Sequence, residues 1–462
     1  MPRRDRETLT TPRLDRLQTE IGSRCNAAHS CHPDAISADG WYNGLMKPGQ
    51  ILCHLIFLLS TSTVLFAIQT PVLPWIFILG AAGMFLGMLL LTALCRDRSS
   101  FLAAIFLALL VRLLFLLLSP ASTDIDRYIW EGAIQHHGLN PFLIAPNDLA
   151  TLPFRDELWE RASFGDSTTI YCPLAQLLFL LTTSINDQPL AMKVMISLFD
   201  LAALAILLRL SPQRQGLQRF ILLYALNPLV LIFGSGLGHL DPVAATLMLA
   251  AVACSENARW KNIAGAFLTS AILTKAYAAI LIPFILKRTG WKGAISLLVP
   301  LPLLLLYASD STTFLEKPLT FAREYAFNGL LYTILHDLGG FSGDATLIIL
   351  ATILVLSVIL ILVAVPTVRQ ASLHATGFML LCLPTMHPWY LLLTTPFIAL
   401  TPSKSWLILH LSVIPLVFFF NPGISPAFFH DRYLLMAVEF VPFLAVASWE
   451  MMSRGRSVLS EP

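Results

Sequence analysis

Charge is what this sequence has least of. Asp, Glu, Lys and Arg make up 13% of its 462 residues, against about a quarter in an ordinary soluble protein. A soluble chain of this length would have the surface of roughly three domains to cover, and the charges to cover it are absent. That shortage excludes a soluble enzyme. The high apolar content excludes a disordered chain, and a net charge of only +2 leaves no basic surface for nucleic acid. Cysteine is scarce as well. There are seven, an odd number, mostly inside apolar runs, so no disulfide framework is legible. No internal repeat stands out along the chain.

What fills the space is apolar. Hydrophobic residues reach 56%, and the mean hydropathy is +0.71, so most of the surface must face lipid. A membrane helix needs about 20 apolar residues. Runs of that kind cover 51–70, 72–95, 100–119, 190–209, 219–236, 291–308, 344–365 and 433–450. Shorter apolar stretches cover 242–255, 262–274, 276–286, 371–386, 389–402 and 405–420, the lengths of tilted, broken or protein-buried helices. The expected fold class is therefore all-α, a polytopic integral membrane protein with about fourteen crossings by hydropathy. The apolar stretch 170–185 is read as a half-helix dipping in from the outer side. Counted as a crossing, it would carry Arg209, Arg214 and Arg219 outside.

Three regions follow. Residues 1–48 read as a disordered cytoplasmic tail, 49–453 as the multi-pass domain, and 454–462 as a second cytoplasmic tail. The first tail is polar, and no apolar segment closely follows Arg3, Arg4 and Arg6, so it is no simple signal peptide. Met46 directly precedes the first span and is an alternative expected start. Cys25, His29, Cys31 and His32 lie close together, but their spacing matches no zinc finger. With the N-terminus inside, basic residues gather on the inner face and acidic ones outside, as the positive-inside rule requires. The expected location is the cell (inner) membrane, with the polar chemistry on the extracytoplasmic, periplasmic face.

That chemistry is concentrated. The longest loop, 119–169, lies outside, and residues 124–137 alternate polar and aromatic positions at helical spacing. An amphipathic interfacial helix is expected there. It carries Asp124, Asp126, Arg127, Tyr128, Trp130, Glu131, His136 and His137. Other outer turns supply His239 and Asp241, then Glu324, Tyr325 and Asn328, then His387, Trp389 and Tyr390, and finally His430, Asp431 and Arg432. Each alone reads as an interfacial anchor; together they describe one water-facing pocket. Lys275 and Arg112 are basic residues within apolar runs, with Asp200 and Glu439 as acidic counterparts. Intramembrane charges are costly and either pair or mark a site. Lys275 falls between two short helices, at an outer apex. Arg112 lies seven residues before Ser119, roughly 10 Å deep at 1.5 Å per residue, where it either snorkels or binds an anion.

The run TDIDRYIWEGAIQHHGLNPF resembles the signature of bacterial GT-C fold mannosyltransferases that use polyprenyl-phosphate sugars. The matching residues are Asp124, Arg127, Tyr128, Trp130, Glu131, Gly132, Gly138, Asn140, Pro141 and Phe142. TIYCPLAQLLF, GLGHLDP, LTKAYAAILIP, YAFNGLLY and HPWYLLLTTP are similar to further segments of that family, and the likeness spans about 105–445. Thr123 stands where the family often has a first Asp, Asp126 where it has an aromatic, Glu131 in place of Asp, and Cys172 in place of Pro.

The resemblance implies a GT-C-like helical bundle with a long outer first loop, and transfer of a hexose, mannose favoured, from a polyprenyl-phosphate donor to a lipid- or glycan-linked hydroxyl. Inversion is the implied stereochemistry. Such a transfer needs a base, a cation for the leaving phosphate and exclusion of water. By resemblance Asp124 is the base, with Asp126 second. Lys275, Arg127, Arg432 and Arg112 are phosphate candidates. Trp130, Trp389 and Tyr390 can stack on a sugar, and Glu131, His239, Asp241, Asn328 and His387 can bond sugar or acceptor hydroxyls. No cofactor is required, and a divalent metal on the Asp124–Asp126 pair is optional. The expected partners are the donor, the acceptor and membrane lipids, with no nucleic acid. The competing readings are a secondary transporter or lipid or glycan flippase, and a polymer ligase with a similar loop.

Overall fold

The long apolar runs become helices because lipid offers no partner to backbone N–H and C=O groups, so each segment must satisfy its own. The structure is a computed structural model describing residues 46–70, 74–211, 218–307, 320, 323–418 and 431–459, with side chains to Ser453. Expectations for 1–45, including the four Cys and His residues there, and for His430 lie outside the described residues. In chain order the main helices are α1 (Pro48–Gln69), α2 (Pro74–Leu94), α3 (Arg98–Leu118), α4 (Thr123–Gln135), α5 (Pro173–Ile185), α6 (Pro189–Leu210), α7 (Asp241–Glu256), α8 (Ala264–Ile272), α9 (Ile282–Ser296), α10 (Gly343–Ala364), α11 (Val368–Cys382), α12 (Lys404–Ser412) and α13 (Arg432–Leu459).

Among the described residues, six helices are long and apolar enough to cross a membrane: α1, α2, α3, α6, α10 and Arg432–Ser453 of α13. Two bent pairs, Gln218–Ala225 with Val230–Gly236 (55°) and Ala276–Ser296 with Leu301–Tyr307 (48°), raise the number to eight. The fourteen expected crossings counted the shorter apolar stretches too. Several of those stretches are largely covered by protein. The 16-residue α7 is the clearest case, buried along almost its whole length. By contrast α10 buries only Thr346 and Leu350 and otherwise presents its side chains outward, as a peripheral membrane helix does.

The two ends of the bundle differ in charge. Lys193 of α6 bonds the last carbonyls of α3, and Ser122 donates to the Leu237 carbonyl, so these turns share one end. Asp124, Asp126, Asp241, Asp337 and Asp344 lie on it. At the other end Arg369 pairs with Glu256, Lys287 bonds the Leu362 carbonyl, and the Lys404 backbone donates to Glu450. Arg98, Arg209, Arg219 and Arg259 gather there.

The helix expected at 124–137 is α4, but it is embedded rather than afloat on a surface. Ile125, Tyr128 and Ile129 form a small core with Phe179 of α5 and Met192 and Ile196 of α6, and Tyr128 stacks on Phe179 at 4.7 Å. Gly132 permits this approach: a Cβ there would stand 2.6 Å from the Phe179 carbonyl oxygen. The stretch 170–185 is the 13-residue α5, opened by Pro173 at its N-terminus.

Candidate functional site

Four turns at the acidic end place the polar groups: the start of α4, the segment 236–241 before α7, the break at 273–276 after α8, and the segment 383–390 after α11. The second turn is shaped by Gly238, at φ +76°, whose missing side chain makes room for Ile125 of α4. With Ser122 held to Leu237, the next residue in that turn, His239, meets α4. His239 Nδ1 lies 3.1 Å from Asp124 Oδ2. Burial by itself would raise the Asp124 carboxyl. The His239 hydrogen bond and the charges of His239 and Lys275 outweigh it and hold the group below the ordinary carboxylate range.

A second acid–base pair stands beside the first. Lys275, in extended backbone between α8 and Ala276, places Nζ 2.5 Å from Asp241 Oδ1. Its ammonium also lies 4.1 Å from the Tyr390 ring centroid, a cation–π contact. In each pair one member is buried and the other partly exposed. Side-chain exposure is 4% for His239 against 26% for Asp124, and 3% for Asp241 against 20% for Lys275. A carboxylate and an ammonium are thus presented to the same end of the bundle, each braced from behind by a group of opposite character.

Aromatic rings brace the first pair. His239 stacks on Trp389 at 4.0 Å, and Trp389 on His387 at 4.4 Å, both within 9° of parallel. Burial pushes the His387 imidazole down to about 3, and only Asp124 nearby favours its protonation, while His239 and Lys275 oppose it. It is neutral at ordinary pH.

Other candidates are placed elsewhere. Arg127 is buried, with Nε 2.7 Å from Glu131, and its remaining nitrogens donate to the carbonyls of Ser163, Phe164 and Ser167. Its guanidinium lies over Trp130, which is itself buried. Glu131 is fully buried and accepts from Thr169 and Gln176 as well. These three residues clamp the outer part of the 119–169 loop onto α4 and present no free group to a ligand. Arg112 is buried in α3 and forms a two-pronged pair with Asp200 of α6, at 2.6 and 3.2 Å, with Tyr224 also donating to Asp200 at 2.7 Å. Arg112 thus neither snorkels nor stands free for an anion, the two expectations for it; it is held by Asp200. Arg432 pairs with Asp337 at 2.6 Å. Asn328, at φ +57°, donates to Glu439 at 2.7 Å. Asp126 faces Arg161 at 3.3 Å; residues two apart on a helix point away from each other, so Asp124 and Asp126 do not converge. Among the described residues no three His, Cys, Asp or Glu side chains come together as a metal site.

One residue was overlooked in the sequence. Lys193 Nζ donates to the carbonyls of Phe115, Leu116 and Ser119. It caps the C-terminus of α3, where a cation is favoured, and so sets the point from which the chain enters α4. A lysine in the first turn of an apolar span was the available signal.

A family model described as alpha-(1->6)-mannopyranosyltransferase, N-terminal domain (the MptA_B family), matches residues 38–289. The chain belongs to this family. Comparison with curated proteins and with solved structures gave no match. As a membrane glycosyltransferase of the mannosyltransferase type, the protein keeps Asp124, His239, Asp241 and Lys275 within the matched region, while His387, Trp389 and Tyr390 reach the site from beyond it.

Proposed function

We propose that the protein moves a mannosyl group from a polyprenyl-phosphate donor to a hydroxyl of a lipid- or glycan-linked acceptor, at the extracytoplasmic face, with inversion. The observation that carries this reading is the presence of a partly exposed carboxylate, Asp124, and a partly exposed ammonium, Lys275, at one end of a membrane bundle. Asp124 accepts the proton of the acceptor hydroxyl as that oxygen bonds to the anomeric carbon. The bond from that carbon to the phosphate oxygen breaks, and polyprenyl phosphate leaves with the bonding pair. Lys275 stabilises the charge on the leaving phosphate, at the level where a lipid-linked donor presents its headgroup. General-base help of this kind is worth about 10²–10⁴ in rate.

His239 holds the Asp124 carboxylate in place, and the Trp389–His387 stack holds His239. Trp389 is therefore a support for the base, its two stacked ring neighbours being imidazoles, rather than a platform for the sugar. Asp241 plays the matching part for Lys275. Basic residues concentrated at the far end support an orientation with the site facing out of the cytoplasm. The test is transfer from polyprenyl-phosphate mannose by the purified protein, measured beside Asp124→Asn.

A further inference from the structure

The basic end of the bundle holds a groove of about 360 Å³ that the transfer chemistry does not use. It is separated from the site by the length of α7. Asp241 stands at one end of that helix and Ser255, which accepts a bond from Arg288, at the other, a rise of about 21 Å at 1.5 Å per residue. The groove is lined by the buried or half-buried apolar side chains Phe284, Leu362 and Val365 and by the exposed polar side chains Lys287, Arg288 and Thr367. Its more buried lining is thus apolar and its exposed lining cationic.

The two cations are available. Lys287 uses one of its three N–H groups on the Leu362 carbonyl, at 2.6 Å. Arg288 makes one long contact, at 3.5 Å, to the Ser255 carbonyl. Both side chains are exposed and neither is paired with an acid among the described ion pairs, whereas neighbouring Arg369 is neutralised by Glu256 at 2.7 Å. The first turn of α11 also borders the groove through Thr367, Val368 and Ala371, and a helix N-terminus favours an anion. On the lipid side the groove is walled by the last turns of α10, whose Val363 is 80% exposed. An occupant can thus keep a hydrocarbon chain in the bilayer while its head reaches the cations.

We propose that this groove binds an anionic phospholipid of the inner leaflet, with the phosphate on Lys287 and Arg288 and an acyl chain along Leu362, Val365 and Phe284. A free phosphate would satisfy the cations and leave the apolar lining unused. A zwitterionic lipid would satisfy the apolar lining but bring its own cation to the cationic side chains.

The experiment uses the full chain in detergent, titrated with phosphatidylglycerol, phosphatidylcholine or inorganic phosphate, and reads bound lipid by native mass spectrometry and the unfolding temperature. The expected result is retention of phosphatidylglycerol in preference to phosphatidylcholine, with a rise in unfolding temperature that phosphate does not reproduce. Lys287→Gln with Arg288→Gln should weaken phosphatidylglycerol binding about 30-fold, the equivalent of about 1 kcal/mol for each basic residue at a membrane surface. Arg209→Gln, at the same end but outside the groove, should leave it unchanged. Equal binding of the two lipids, an equal effect of phosphate, undiminished binding in the double variant, or an equal loss in Arg209→Gln would each overturn the proposal.

Discussion

His239 Nδ1 lies 3.1 Å from Asp124 Oδ2 although 115 positions separate the two residues. The contact joins the start of α4 to the turn before α7, and it turns a carboxylate at a helix start into an oriented one. Beside it the Lys275–Asp241 contact does the same for a cation. Predictions about the site follow from treating these as two braced pairs.

Lys275→Ala should lower kcat/KM for the donor by roughly 10–100-fold, the worth of a hydrogen bond to a charged group, while acceptor KM changes little. Initial rates over a donor series measure it. An unchanged donor kcat/KM in a folded variant would remove Lys275 from the phosphate.

Arg127→Ala should act on the fold instead. It leaves Glu131 fully buried without its ion partner, a loss of about 3–5 kcal/mol when one member of a buried pair is removed. Thermal unfolding of the purified variant should show the loss, and whatever protein stays folded should keep a near-normal donor KM. A raised donor KM at normal stability would return Arg127 to the site.

The Arg112–Asp200 pair gives a coupled prediction. Arg112→Leu alone strands a buried carboxylate, and Asp200→Leu alone strands a guanidinium. The double variant should be more stable than either single one, because paired replacement of a buried ion pair is far milder than halving it. A double variant at least as unstable as the sum of the two singles would contradict that coupling.

His387 makes stability depend on pH. Its folded value, about 3, lies below the ordinary value of 6.5, so the unfolded chain takes up this proton first as pH falls. Its contribution is fully present above about pH 6.5 and is lost progressively down to about pH 3. His387→Asn should flatten that part of the stability profile. Asp124, His239 and Lys275 face the same imidazole, so the comparison is read as a difference from wild type over this window.

How much of this was legible in the sequence depends on where each residue sits. Asp124, His239, Asp241, Lys275 and His387 interrupt or end apolar runs, and a polar group at such a boundary stands out against 56% hydrophobic residues. The long spans were legible for the same reason. What the pattern could not supply was partnership. Arg127 and Arg432 look alike as basic residues near a loop, yet one is locked into Glu131 and three carbonyls and the other pairs with Asp337. Trp389 looked like a sugar platform because nothing in its neighbourhood along the chain reveals His239 as its ring partner. The short helices were read as crossings because burial in protein and burial in lipid select the same residues. Only length separates them, and α7, α8 and α12 are shortened by turns that hydropathy does not register.

The measurement that bears most directly on the central claim is mannosyl transfer by purified wild type and Asp124→Asn, from radiolabelled polyprenyl-phosphate mannose to a lipid-linked hydroxyl acceptor. Asparagine keeps the shape of the side chain and can still bond His239, and the N-cap of α4 is Ser122 rather than Asp124, so folding should be spared. Wild type should release polyprenyl phosphate in step with product, and the variant should fall by about 10²–10⁴ in rate with normal yield and unfolding temperature. Near-wild-type turnover in a well-folded Asp124→Asn would contradict the account, leaving Asp124 as a structural partner of His239 and no base at this site.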